Sequence, residues 1–407
     1  MVYKVELLKM EDGRRFALLL QNGQPAYYPS LFITSQKRDA SFHTQRNILY
    51  HLRLLLFWCA QEGIALEERF TAGEAFTGRE CLSLIDFCAW DSATIQRMRS
   101  GVRMLNSGYT QVERSEASAR VGHVREFLTF LYRKLNGCGE QEPRLASMIK
   151  DMGSHKPKVR RHRAIRSGDL TGEQEAILLE KILPNHPQNP WSVNPDVRLR
   201  NLVSVHMLLE TGMRRSELAA LRVSDIDFVN RTVSIYRRHD DPIDPRVSQP
   251  QAKTGERTIP LSSPLLEQID TYVMHSRSKV PGARKHPFLF VSHRGKKGSP
   301  ISVETVNHIF GQLSKAFPEL GRLHPHRLRH HWNFTYSNLI NEKMKDHPEE
   351  DRKAFDQNSR AYLMGWKPEG HMAEIYNRRF DEETANKMLG QRDSKLQIVK
   401  KGNDDFK

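Results

Sequence analysis

The chain has 407 residues, and its 63 lysines and arginines outnumber 48 acidic residues to give a formal charge of +15. That length allows two separate hydrophobic cores, and the positive surplus favours a polyanionic partner, nucleic acid first. No stretch approaches the ~20 apolar residues of a membrane helix, and Met1–Lys9 lacks the order of a secretory signal, so the expected location is cytoplasmic, on the nucleoid in a bacterium.

Residues 2–20 read as two strands around Asp12-Gly13, with Asn22-Gly23 as a second turn, which predicts a small β-meander. It is either an accessory arm or a decoration without function. From Phe42 the pattern turns helical: Ile48, Leu49, Leu52, Leu55, Leu56 and Cys59 share one face. Thr77 and Glu80 have the spacing of a capping box, followed by the apolar face Cys81, Leu84, Ile85 and Cys88. Val121, Val124, Leu128, Leu131 and Leu135 step along a further long helix. Cys59, Cys81, Cys88 and Cys138 include no pair at the two-residue spacing of a zinc knuckle or redox motif, and read as reduced, buried thiols.

Lys156, Lys158, Arg160, Arg161, Arg163 and Arg166 then form a basic run with almost nothing apolar, read as a linker. Such a run is either a solvated strap or a set of phosphate contacts along a duplex. Beyond it, Thr171 and Gln174 mark another capping box, and a helical face from Leu199 to Leu209 stops at Thr211-Gly212. Thr232–Tyr236, Arg257–Leu261 and Phe288–Val291 read as a small antiparallel sheet, and helices return from Val303. The expected organisation is therefore a meander arm (1–31), a helical domain (32–152), a basic linker (153–172), a domain of helices and a small sheet (173–392) and a polar tail (393–407). The fold class is mainly α with a small antiparallel sheet, α+β overall.

Cutting a DNA strand without a metal needs a nucleophilic oxygen, fixed cations around the non-bridging phosphate oxygens and a proton for the departing sugar oxygen. Arginine suits the clamp because its planar fork matches two phosphate oxygens, whereas lysine can also give up a proton. Four separated places supply these groups. Thr211-Gly212-Met213-Arg214 precedes a short helix containing Glu217; Lys253 sits at a turn before a strand; His326, Arg329 and His330 fall within two helical turns; Trp366 stands shortly before Tyr376. His324, His326, His330 and His331 do not suggest a metal, because no carboxylate or cysteine lies at ligand spacing and the intervening arginines repel a cation.

These strings resemble the tyrosine recombinase, or phage integrase, family. The pattern is an arginine in a Thr-Gly-hydrophobic-Arg context, a turn lysine, a His-x-Leu-Arg-His block, a His or Trp after glycine, and a tyrosine about ten residues on. All five occur here in order over about residues 173–390. The resemblance implies that Arg214 and Arg329 grip the scissile phosphate and that Tyr376 attacks it, leaving a 3′-phosphotyrosine. Lys253 would protonate the leaving 5′ oxygen. His326 would bond the phosphate and help move the phenol proton, Trp366 would donate its indole N–H, and Glu217 and His330 would support the site. No cofactor is implied, and the partners would be double-stranded DNA and further copies of the chain, a tetramer on paired sites, with accessory recombination proteins. Integration, excision or transposition of a mobile element is the expected role; a chromosome-dimer resolvase or a non-catalytic DNA-binding relative are the alternatives. Asn341–Gln357 reads as a polar surface insertion.

Overall fold

The computed structural model describes residues 2–99, 110–137, 142–159 and 169–367. The chain divides into two compact units, Met1–Arg163 and Ala164–Lys407, and the described residues are mainly helical with two small antiparallel sheets. None of their helices is long and apolar enough to cross a membrane.

In the first unit, β1 (Tyr3–Lys9) and β2 (Arg15–Gln21) form a hairpin, and β2 pairs with a short β3 (Gln24–Pro25). Asn22 and Gly23 both have positive φ, as the tight turn between β2 and β3 demands. Tyr27 does not extend the meander but starts α1 (Tyr27–Gln36). Helices α2 (Phe42–Gln61), α3 (Leu66–Thr71), α4 (Gly78–Ala89), α5 (Ser92–Arg99), α6 (Arg114–Asn136) and α7 (Glu142–Ser154) follow.

Alternation in the hairpin turns Val5, Ala17 and Leu19 inward, where they share one core with Leu52, Leu55 and Trp58 of α2 and Val124 and Leu128 of α6. Residues 1–31 therefore do not stand apart as an arm; the sheet's apolar face needed a partner, and α2 provides it. The capping box at Thr77 is present, with Glu80 N–H donating to the Thr77 hydroxyl (3.3 Å) and Thr77 N–H to the Glu80 carboxylate (2.8 Å). Cys59, Cys81 and Cys88 are buried free thiols; burial raises the Cys59 and Cys88 pKa to about 12 and that of Cys81 to about 11. Cys138 lies outside the described residues.

The second unit opens with α8 (Gly172–Lys181), capped as expected by Thr171 and Gln174. α9 (Pro195–Thr211) is buried on most of its sides, with Arg200, Asn201, Ser204 and Thr211 enclosed along with its apolar residues, and it packs against α11 (Ser263–Thr271) and α13 (Pro325–Lys343). Between them come α10 (Arg215–Ala220) and the sheet β4 (Ile226–Asp227), β5 (Thr232–Ile235) and β6 (Arg257–Pro260). Ile226 is opposite Val233, and Val233 is opposite Ile259. α12 (Val303–Ala316) precedes α13, and α14 (Glu349–Met364) ends the described chain.

Two expectations change here. Phe288–Val291 is not a strand of this sheet; it makes only single bridges, Arg222 to Phe288 and Val291 to Pro300, and β4 takes the third place. All four of its residues are buried, so the run lacks the alternation of a half-buried strand and serves as a core connector. Nor is Asn341–Gln357 a surface insertion throughout: it ends α13 and begins α14. Asp356 is buried against Arg360, whose guanidinium also donates to the Asn333 carbonyl (2.8 Å) and the Ser337 hydroxyl (2.7 Å), tying α14 to α13.

Candidate active site: a cationic cleft in the second unit

Gly212 ends α9 in the left-handed region (φ 60°), and that reversal carries the chain into Arg214, the residue that caps α10. A side chain at position 212 would be strained twice: by its φ, and by a Cβ only 2.9 Å from both Met364 Cε and Trp332 Cγ. The Gly212 carbonyl accepts from Arg329 Nη1 (2.7 Å), so the α9–α10 corner and α13 meet through one guanidinium.

Arg214, Lys253, His326, Arg329 and His330 all line one cleft of about 1000 Å3, together with Arg215, Arg322, His324 and Arg327. Among the described residues, no aspartate or glutamate lines it. Its walls are the α10 corner, the turn before β6 and the first turns of α13. A helix N-terminus favours anions through its unpaired N–H groups and dipole, and α13 presents its own to this cleft, capped by the His324 ring accepting from Arg327 N–H (3.1 Å).

The members differ in how they are held. Arg329 is buried, with Nη2 donating to the Met364 carbonyl (3.3 Å) and its guanidinium 5.7 Å from the centre of the Trp366 ring. Trp366 thus packs beside Arg329 and does not itself line the cleft. Arg214 is more open, but its Nη1 is shut off from water without a hydrogen-bond acceptor among the described residues, the Glu217 carboxylate being 3.6 Å away. Lys253 is exposed at its turn. The His326 and His330 rings meet edge to face, 4.3 Å apart. Enclosure by the cleft walls, then the charges of Arg329, Arg214 and Arg215, hold His326 below the usual histidine pKa. His331 faces the other way, buried, accepting from Leu170 N–H (3.2 Å).

Glu217 lies behind Arg214, fully enclosed. It accepts from Arg214 N–H (2.9 Å), the Thr254 hydroxyl and Arg257 Nη2 (2.8 Å). Burial pushes its pKa up, but the Arg257 charge and these hydrogen bonds outweigh that and keep the carboxyl below its usual range. Arg257 is the residue that sequence reading passes over: it appears only as the first residue of a strand, and no spacing rule marks its side chain as buried.

Tyr376 lies outside the described residues, as do Arg160, Arg161, Arg163 and Arg166, the tail from residue 393 and the Phe380–Leu389 segment, which the family resemblance suggests docks on a neighbouring copy. Lys158 is exposed; Lys156 lies over α6, where a Cβ on Gly122 would come 3.1 Å from its Nζ.

Residues 180–347 match the phage integrase family model. Among curated relatives, 135 residues are 31% identical to tyrosine recombinase XerC of Pediococcus pentosaceus, covering 33% of this chain and 39% of that protein. A longer stretch of 212 residues is 29% identical to tyrosine recombinase XerD of Halalkalibacterium halodurans, covering 52% and 58%. The chain therefore spans less than two thirds of the length of these relatives. Among solved structures, a lambda integrase dimer bound to a COC′ core site aligns with a TM-score of 0.46 at 12% identity over 86% of this chain and 75% of that one. The Tn1549 transposon integrase in complex with circular intermediate DNA gives 0.45 at 16% identity over 86% and 93%. The family match thus falls inside the second unit and covers residues 180–347 of it. The matched span contains Arg214, Glu217, Lys253, His326, Arg329 and His330, and stops before Trp366 and Tyr376.

Proposed function

We propose that this chain is a tyrosine site-specific recombinase, which cuts and rejoins DNA through a 3′-phosphotyrosine intermediate. One observation carries the reading: a single cleft collects Arg214, Lys253, His326 and Arg329, and among the described residues no carboxylate lines it. Such a wall repels metal ions and basic ligands and attracts a phosphodiester. The buried Arg214 Nη1, which has no hydrogen-bond acceptor among the described residues, is suited to a non-bridging phosphate oxygen.

In this reading Arg214 and Arg329 hold the phosphate while the Tyr376 phenol oxygen bonds to phosphorus. The bond from phosphorus to the 5′ oxygen breaks, and that oxygen takes a proton from the Lys253 ammonium. The phenol proton passes to His326, whose depressed pKa leaves the imidazole neutral and able to accept it. The phosphotyrosine conserves one phosphodiester-like bond, so religation to another strand needs neither ATP nor metal. The proposed biological setting is integration, excision or transposition of a mobile element, by a tetramer on paired sites, with the basic linker (Lys156, Lys158, Arg160, Arg161, Arg163, Arg166) contacting phosphates.

The test is to incubate the protein with a nicked suicide duplex carrying the ends of its own element. A covalent protein–DNA adduct that survives denaturation is the expected result; its absence with every candidate site would sink the reading. A second measurement concerns His326. With DNA subsaturating, the pH profile reports the free protein, and a depressed histidine pKa keeps the neutral form dominant as pH falls from 7.5 to 6.5. The adduct rate should hold over that interval and drop only below it. A decline already centred at or above pH 6.5 would remove His326 as the proton acceptor.

A further inference from the structure

Arg257 opens β6, and its side chain is completely enclosed. Its donors go to three separate segments. Nη2 meets the Glu217 carboxylate behind Arg214 (2.8 Å), Nη1 meets the Thr254 hydroxyl next to Lys253 (3.0 Å), and Nε meets the Leu363 carbonyl in the last turn of α14 (2.7 Å). Thr254 closes the circuit by donating its hydroxyl to Glu217. Beside it, Gly255 N–H donates to the Gly365 carbonyl (2.8 Å), and Gly365 has φ 62°. A Cβ on Gly365 would lie 2.7 Å from the Gly255 carbonyl and 2.9 Å from Arg257 Nη1, so the turn and the α14 end approach each other as closely as backbones can.

We infer that Arg257 is a positioning residue for strand cleavage: it fixes the Lys253 turn against the end of α14, from which the chain continues toward Tyr376. The inference rests on the recombinase reading above. Lys253 is itself exposed, so where its ammonium sits depends on the backbone of its turn, and that turn is held from behind by Thr254 and Gly255. A guanidinium spreads its donors over a rigid planar fork and so reaches these three acceptors, whereas a lysine at 257 carries its three donors on one nitrogen, keeping the charge near Glu217 without spanning the other two. Burying such a pair is costly and apolar residues often serve stability as well, so geometry is the property that this arrangement adds.

A defect in Lys253 placement has a distinctive signature, because it withholds the proton from the leaving oxygen. A scissile bond that bridges through 5′ sulfur breaks without that proton, since a thiolate is a good leaving group; otherwise the same bonds form and break. Two nicked substrates, one ordinary and one with bridging 5′ sulfur, are compared in single turnover. Arg257→Lys should slow adduct formation on the ordinary substrate by roughly 100-fold, the lower range of general-acid contributions, and on the sulfur substrate far less. Thr254→Val, which leaves the Arg257–Glu217 pair in place, should show the same selectivity in weaker form and covers the case in which Arg257→Lys does not fold. Equal slowing on both substrates, or no slowing in a folded variant, overturns the role of Arg257. An unsubstituted protein that forms no adduct on either substrate instead overturns the recombinase reading itself.

Discussion

If the proposed reading holds, Tyr376→Phe should abolish the covalent protein–DNA adduct while leaving binding to the same duplex unchanged. The substitution removes one oxygen, the atom that in this reading would bond to phosphorus. A free phenol has a pKa of about 10, so at neutral pH it reacts only if nearby cations favour the developing phenolate; Arg214, Arg329 and Lys253 are the cations available. DNA affinity should survive because it comes from many phosphate contacts and the phenol carries no charge. Adduct formation is read on a denaturing gel and affinity by a mobility shift. Tyr362 makes the useful comparison: its exposed hydroxyl lies at the α14 end, 3.5 Å from the Thr258 carbonyl. Tyr362→Phe should retain the adduct; an adduct retained by Tyr376→Phe and lost by Tyr362→Phe would move the nucleophile.

The second large effect falls on stability. Glu217→Ala leaves the Arg257 guanidinium buried without its counter-ion, and breaking a buried pair in this way costs about 3–5 kcal/mol. For a unit of this size that lowers the melting temperature by on the order of 10 °C. The pH dependence has a definite sign. Because the folded carboxyl is held below its usual range, its contribution is complete above the ordinary glutamate pKa and is lost as pH falls through the depressed value. Unfolding curves of the unsubstituted protein and Glu217→Ala should thus be furthest apart near neutrality and converge in acid. A gap that stays constant down to pH 3 would mean that the Glu217 charge is not what Arg257 requires.

Much of the local structure was legible because it is decided locally. Capping boxes at Thr77 and Thr171, the Asp12-Gly13 hairpin and the helix stop at Gly212 each depend on residues within four positions of one another. Phe288–Val291 was misread for the opposite reason. An apolar run looks the same whether it pairs in a sheet or threads a core, and only the neighbouring Arg222 and Pro300 decide which. Asn341–Gln357 looked like a solvated insertion because one buried charge, Asp356, is invisible among many exposed ones until Arg360 is seen beside it.

The same division runs through the candidate site. Sequence alone determined the chemical inventory: a charge balance suited to nucleic acid, and arginine, lysine, histidine and tyrosine in contexts that resemble one family. It could do so because reactive groups must be particular residue types, which composition and motif reveal. Tertiary structure alone decided that Arg214, Lys253, His326 and Arg329 share a cleft that no carboxylate among the described residues lines, that Trp366 packs on Arg329, and that Arg257 lies behind these pieces, bonded to Glu217, Thr254 and Leu363. Those are facts of long-range packing, between segments up to about 150 residues apart in the chain, where no periodicity or spacing rule reaches.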